Sequence, residues 1–160
     1  MSQSFIREGF NITRTKLEAL FSNRGVPITD QEAQTLSPEN YFEFHIKVVL
    51  EPENTEKLLN AIAPYSGHLS KNGFKKIESG KEQRFVTLRL YGIGKETAAA
   101  KLEECTKAIR EAGFQTYSSI REYSVYDSNV NLDKGWINKV TDSPNGQQHR
   151  NYGRFLLTSS

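Results

Sequence analysis

The sequence predicts an α+β fold of the ferredoxin-like βαββαβ type, with an antiparallel sheet, two helices on one face and an additional N-terminal strand. Residues 42–50 and 84–91 alternate apolar and polar side chains, as half-buried strands do. Residues 55–63 and 98–109 carry apolar side chains at helical spacing. The order of these patterns is strand, helix, strand, strand, helix, strand. Because both helices should pack on one face, the opposite face of the sheet remains to be covered or used.

The composition indicates one soluble domain. The chain has 160 residues, of which 36% are hydrophobic, and a net charge of +2 that does not by itself predict nucleic-acid binding. The single cysteine, Cys105, cannot form an internal disulfide, and no Cys/His set has zinc-site spacing. No segment has the apolar length of a signal peptide or a membrane span, so we expect a cytoplasmic protein without a membrane partner.

The N-terminal segment, residues 10–21, fits two structures. Leu17, Leu20 and Phe21 have helical spacing, and a glycine follows where a helix would end. The same segment also alternates as a strand does, and it contains β-branched side chains that lower helix propensity: Ile12, Thr13 and Thr15. We therefore expect a strand here, followed by a region that is mostly loop up to residue 40.

The first strand of the βαββαβ unit, residues 42–50, has the clearest pattern in the chain. Its even-numbered side chains are apolar and should face the helices, whereas the odd-numbered set includes Glu43, His45 and Lys47. A helix over residues 55–63 follows and ends at a proline. The apolar stripe of this helix is formed by Leu58, Leu59 and Ile62.

A hairpin and a second helix come next. The second strand begins near His68, and a turn at residues 79–81 leads into the third strand at residues 84–91. The second helix has a core-facing stripe and should end at Gly113. That stripe consists of Ala98, Leu102, Cys105 and Ile109.

The last strand, residues 114–126, is long and only partly apolar, which favours a position at the edge of the sheet. Trp136 and Ile137 are expected to fold back as an apolar anchor. We therefore expect one domain over residues 10–137 and a flexible C-terminal tail over residues 138–160, where few side chains can pack.

The strand alternation places polar side chains from three strands together on the face away from the helices. His45 and His68 are candidate catalytic residues, because histidine exchanges protons near neutral pH. Arginine on the same face suits a carboxylate or phosphate. The candidate binding residues are Ser70, Asn72, Arg84, Thr87, Arg89 and Tyr91. The sequence predicts no metal site and no cofactor.

Alternation of this kind is typical of a surface that meets another sheet or a second subunit. We therefore expect a non-enzymatic binding or interaction domain. One alternative is a small-molecule or phosphate-ester site, hydrolytic in character, built from His45, His68, Ser70, Arg84 and Arg89. A lesser alternative is single-stranded RNA binding on the aromatic side chains of the third strand, although the usual Gly-aromatic-Gly-aromatic run is absent.

The side of the sheet away from the helices also indicates which partners to expect. Phe85, Tyr91 and the tyrosines of the last strand would leave an apolar patch on a monomer, which predicts a homodimer or cover by residues 10–21 of the same chain. A small anionic ligand is the other expected partner, and nucleic acid is disfavoured.

Several segments resemble a family of small uncharacterised bacterial proteins with a ferredoxin-like core. The resemblance covers residues 12–137 and implies a strand at residues 13–18. It implies no catalytic residues, since no activity of the family is established. The segments that carry the resemblance are YFEFHIK at residues 41–47, HLSKN at 68–72, EQRFVT at 82–87, REYSVYDSN at 121–129 and GWI at 135–137.

Overall fold

The computed structural model describes residues 6–76 and 80–135, and side chains over residues 6–70 and 80–133. Within these ranges the chain forms five β-strands and three α-helices, joined by short 3₁₀ segments. In chain order they are β1 Lys16–Leu20, α1 Asp30–Ala33, β2 Tyr41–Leu50, α2 Thr55–Ile62, β3 His68–Lys76, β4 Glu82–Tyr91, α3 Lys95–Glu111 and β5 Gln115–Asp127. No helix in these ranges is long and apolar enough to cross a membrane.

The strands form one antiparallel sheet in the order β1-β5-β2-β4-β3. This confirms the predicted α+β class and the antiparallel sheet. One side of the sheet packs against α2 and α3, because the even-numbered apolar side chains of β2 and the stripes of both helices belong to one buried cluster. Phe44 and Val86 share that cluster with Leu102 and Ile109, as the alternation predicted.

The N-terminal strand is confirmed, but the predicted edge position of the last strand is wrong. β1 pairs with β5 from Lys16 opposite Asp127 to Leu20 opposite Glu122, so β5 lies between β1 and β2. The physical reason is that a strand as long as β5 exposes two rows of backbone groups, and β1 pairs with the outer row. The sheet therefore has β1 at one edge and β3 at the other.

The region from residue 22 to 40 is mostly irregular, as predicted, but it contains the short helix α1. This helix begins with a capping box, in which the Thr29 hydroxyl accepts from the Glu32 backbone N–H and the Glu32 carboxylate accepts from the Thr29 backbone N–H. Val26, just before the helix, belongs to the core. The T-x-x-E spacing at residues 29–32 indicates such a helix start, and sequence analysis did not use it.

The turn into α3 is held close to α1. The backbone N–H of Gly94 donates to the Asp30 carboxylate at 2.7 Å. A Cβ at position 94 would lie 2.3 Å from the backbone carbon of Thr29 and 2.4 Å from the carbonyl oxygen of Ile28. Glycine is therefore required at this position by close approach of two backbones.

The helix α3 ends where the sequence predicted. Gly113 follows α3 with a φ of +88°, and its backbone N–H donates to the Arg110 carbonyl at 2.8 Å, so the predicted helix end is confirmed. The predicted anchor at Trp136 and Ile137, and the predicted tail at residues 138–160, lie outside the described residues.

Candidate functional site

The side of the sheet away from α2 and α3, called the open face below, carries most of the predicted site residues. In one cross-strand row, Thr87 of β4 lies between His45 of β2 and His68 of β3. Ser70 lies two residues after His68 on β3, opposite Phe85. Residues that lie directly opposite in a sheet point to the same side, so the register places these polar side chains on one face, as the alternation predicted.

The centre of the open face is a buried carboxylate, Glu43, whose side chain is only 3% exposed. Its Oε1 accepts from Arg89 Nε at 2.5 Å, and its Oε2 accepts from Lys16, which also pairs with Glu18 at 2.5 Å. Burial opposes ionisation of Glu43, but the hydrogen bonds and charges of Lys16 and Arg89 outweigh it and hold its pKa below the usual range. Glu43 is therefore a fixed anion that organises two cations.

A second carboxylate, Asp127, organises the end of the same face. It accepts from Arg14 through Nε at 2.8 Å and Nη2 at 2.5 Å, and from the hydroxyl of Tyr41 at 2.6 Å. Arg14 also donates to Asp133 at 3.0 Å, and Asp133 in turn accepts from Arg89. The hydrogen bond from Arg14 holds the pKa of Asp127 well below its usual range. Asp127 therefore remains ionised in the network, as Glu43 does.

This network occupies the arginine that the sequence proposed as an anion binder. Arg89 donates to Glu43 and Asp133, and its Nη1 donates to the carbonyl of Val130 at 3.4 Å. The 3₁₀ segment Val130–Gly135, which supplies two of these acceptors, lies against this part of the open face. The positive charge of Arg89 is therefore already compensated by the chain itself.

The two candidate catalytic histidines do not converge. His45 Nδ1 is hydrogen-bonded to Thr87 Oγ1 at 2.9 Å, and its Nε2 lies 3.8 Å from Glu43. Two strand spacings, roughly 10 Å, separate the backbones of His45 and His68. Burial lowers the pKa of both histidines, and nearby Arg89 lowers that of His68 further. Both rings therefore favour the neutral form near pH 7, on a surface rather than in a shared cleft.

The remaining candidates are dispersed. Arg84 lies on the helix side of β4, because its partner on β2 is the core residue Val48. Thr87, three residues further along β4, points to the opposite face. Its Nε donates to the carbonyl of Ser70 at 3.0 Å, and the hydroxyl of Ser70 donates to the carbonyl of Phe85 at 3.2 Å. The Arg84 guanidinium is therefore structural and does not join the open face.

Two candidates lie towards the ends of their strands. Tyr91 belongs to the open face, and its ring centroid lies 5.0 Å from that of Tyr41. Asn72 lies on β3 beyond the register shift that follows Lys71, and its side chain lies outside the described residues. The open face thus offers two aromatic rings of β4 that are not fully buried, Phe85 and Tyr91. The cations beside them are compensated by carboxylates of the chain, which gives little support to binding of single-stranded nucleic acid, where free positive charge must accompany stacking.

Sequence analysis missed four members of the open-face network: Arg14, Lys16, Asp127 and Asp133. Their partners lie up to 119 residues away along the chain, so no local spacing could reveal the pairs. The alternation of Arg14, Lys16 and Glu18 in the N-terminal segment was the one available signal, since charges at every second residue mark one side of a strand. These side chains reach their carboxylate partners because β1 pairs with β5.

Three side chains of the open face have the right donor atoms for a metal ion. Glu43, His45 and Glu122 bring one donor atom each within 4.8 Å of one another. Burial and the negative charge of Glu18 raise the pKa of Glu122. However, both oxygens of Glu43 already accept from Lys16 and Arg89, and a divalent cation would have to bind beside these two positive charges. The set is better explained as part of the ion network.

On the helix side, a groove of about 540 Å³ lies between α3 and β5. Its floor includes Ile46, and its walls carry the cationic side chains Lys107, Arg110 and Arg121. The groove is bounded by α3 on one side and by β5 on the other, with Ile46 of β2 between them. Sequence analysis did not propose any of these residues as part of a site.

No family model, curated protein or solved structure matches this chain. The resemblance to small bacterial proteins stays a prediction.

Proposed function

We propose that this protein is a small non-enzymatic binding domain with ferredoxin-like topology, and that it works as a homodimer joined through the free edge of β1. The topology is supported by the strand order within β2 to β5, which is β5-β2-β4-β3, with the first and third strands of the unit side by side at its centre. β1 extends that unit by one strand beyond β5.

The observation that carries the non-enzymatic assignment is the compensation of charge on the open face. Lys16 and Arg89 are both bonded to Glu43, and Arg14 is bonded to Asp127. An enzyme acting on an anionic substrate needs cations that are free to stabilise developing charge. These cations instead hold the chain together, and the two histidines nearby share no concave site. The arrangement favours a rigid surface over a reaction centre.

The proposed contact is the edge of the sheet at β1. One side of β1 pairs with β5, and its other side has no strand partner among the described residues. Leu17 and Leu20 on this strand are 56% and 64% exposed, and Tyr126, opposite Leu17 on β5, is also half exposed. An exposed strand edge flanked by apolar side chains is a ready site for pairing with another strand.

The charges of β1 favour a second copy of the same chain as the partner. If two β1 strands pair antiparallel with Leu17 opposite Leu17, then Lys16 of each copy lies opposite Glu18 of the other. Opposite charges and apolar pairs across strands each contribute roughly 0.2–1 kcal/mol. This register therefore places opposite charges across the interface and buries the two leucines, and the two five-stranded sheets become one.

Light scattering coupled to gel filtration tests this proposal on the full chain. We expect a mass of twice 18.2 kDa for the native protein. Leu17→Lys should give a monomer, because it places two like charges opposite each other at the centre of the interface. Leu132→Lys is the matched control, since Leu132 is similarly exposed but lies in the 3₁₀ segment after β5, and this variant should remain dimeric. A monomeric native protein, or a dimeric Leu17→Lys variant with unchanged circular dichroism, would refute the β1 interface.

A further inference from the structure

We propose that the groove between α3 and β5 binds a small organic molecule through a phosphate monoester. This inference goes beyond the proposed homodimer, because it concerns a different surface and needs no second copy. A volume of about 540 Å³ lies in the range of small-molecule sites, which is about 300–1,000 Å³. It is larger than a bare anion requires.

The charge of the groove indicates the sign of its ligand. Three cationic side chains, Lys107, Arg110 and Arg121, and one carboxylate, Glu103, line it, which leaves a net charge of +2. Lys107 has only a long, exposed contact of 3.8 Å with Glu111. A phosphate monoester carries a charge of about −1.5 to −2 near pH 7, so it matches this excess in both sign and size.

The two arginines differ from the cations of the open face in having no carboxylate partner within 4.0 Å among the described side chains. Arg110 Nε donates to Thr116 Oγ1 at 2.7 Å, and Arg121 Nε donates to Ser119 Oγ at 3.3 Å. Each contact uses one of the five N–H donors of a guanidinium, which leaves the paired terminal donors for a ligand. The forked geometry of those donors suits phosphate oxygens.

Neighbouring groups position the arginines and supply further contacts. The Arg121 guanidinium lies over the ring of Phe21, 5.9 Å from the ring centre, which restricts its motion. Ser118 and Ser119 bring hydroxyl groups to the wall formed by β5, and the half-exposed ring of Tyr117 lies on the same wall. Hydroxyl donors suit the phosphate oxygens, and the aromatic ring offers an apolar surface to the organic part of the ligand.

The test uses inorganic phosphate and ribose 5-phosphate as probes, with ribose and succinate as comparators, in titrations followed by NMR of the full-length protein and by calorimetry. We expect saturable shifts at Ser118, Ser119 and Arg121 with both phosphate probes, and tighter binding of ribose 5-phosphate. Ribose should not bind, because it lacks the charge. Binding should weaken as salt increases, since it depends on exposed charges.

Three substitutions separate the groove from a general charge effect. Arg110→Gln and Arg121→Gln should each weaken phosphate binding about tenfold or more, as expected for the loss of one charge-assisted contact. Arg24→Gln removes the same charge from an exposed arginine outside the groove and should leave binding unchanged.

Three results would overturn the proposal. They are the absence of shifts with both phosphate probes, equal weakening in the Arg24→Gln control, and equal or tighter binding of succinate, which would assign the groove to carboxylates. The mass measured by light scattering is independent of these titrations, so failure of the groove and failure of the homodimer are distinguishable.

Discussion

Replacing Asp127 by asparagine tests whether the buried ion network stabilises the fold. The substitution keeps the shape of the side chain but removes the charge that faces Arg14 at 2.8 and 2.5 Å, and it places an amide N–H₂ where two donors now converge. It also disturbs the hydrogen bond from Tyr41. The side chain of Asp127 is 1% exposed and that of Arg14 is 16% exposed, so solvent screens their interaction poorly.

These contacts set the expected loss in the free energy of unfolding. Removing one partner of a fully buried pair costs about 3–5 kcal/mol, but Arg14 is partly exposed and keeps Asp133, so we expect a loss of about 2–3 kcal/mol at pH 7. Urea unfolding measures this free energy. Glu111→Gln is the matched control, because it makes the same chemical change in an exposed pair with Lys107 and should cost less than about 0.5 kcal/mol.

The dependence on pH checks the mechanism. The pKa of Asp127 is lower in the folded protein than in the unfolded chain, where it is about 3.9. The charged carboxylate therefore stabilises the fold fully above about pH 4, and this advantage is lost as the pH falls through the lower, folded pKa. The gap between the native protein and Asp127→Asn should narrow as the pH falls below about 4. A loss below 0.5 kcal/mol at pH 7, or a gap that does not change with pH, would refute the reasoning.

Two further predictions concern the core and a close backbone contact. Gly94→Ala should cost about 3 kcal/mol or more in urea unfolding, because the new Cβ meets backbone atoms that cannot move away easily. Gly92→Ala, which has open space but a φ of +65°, should cost only about 1–2 kcal/mol, and an equal loss in the two variants would contradict the steric argument. Cys105 is fully buried, and burial raises the pKa of its thiol to about 11, so it should resist thiol reagents in the native state and react only after unfolding. Fast labelling of the native protein would show that α3 does not cover this residue.

The elements with local patterns could be predicted from the amino-acid sequence alone. The alternation over β2 and the spacing of Ala98, Leu102, Cys105 and Ile109 predicted a strand and a helix, and the predicted sides of both are buried in one core. This succeeded because burial of one face imposes a period of two on strands and of 3.6 on helices, and both periods can be read within a few residues. The shared face of His45, His68 and Arg89 was predicted for the same reason.

How these elements combine depends on contacts that form in the folded chain. The register of β1 on β5 converted an N-terminal segment of uncertain structure into an edge strand and brought Arg14 and Lys16 to carboxylates far away in the sequence. Arg89, which had been predicted to bind an anion, is compensated instead by Glu43 of β2 and by Asp133 of the 3₁₀ segment after β5. The groove with Arg110 and Arg121 lies between α3 and β5, where the folded chain brings the two side chains together. Strand register and layer geometry depend on contacts between residues distant in sequence, and these leave no periodic signal in the chain.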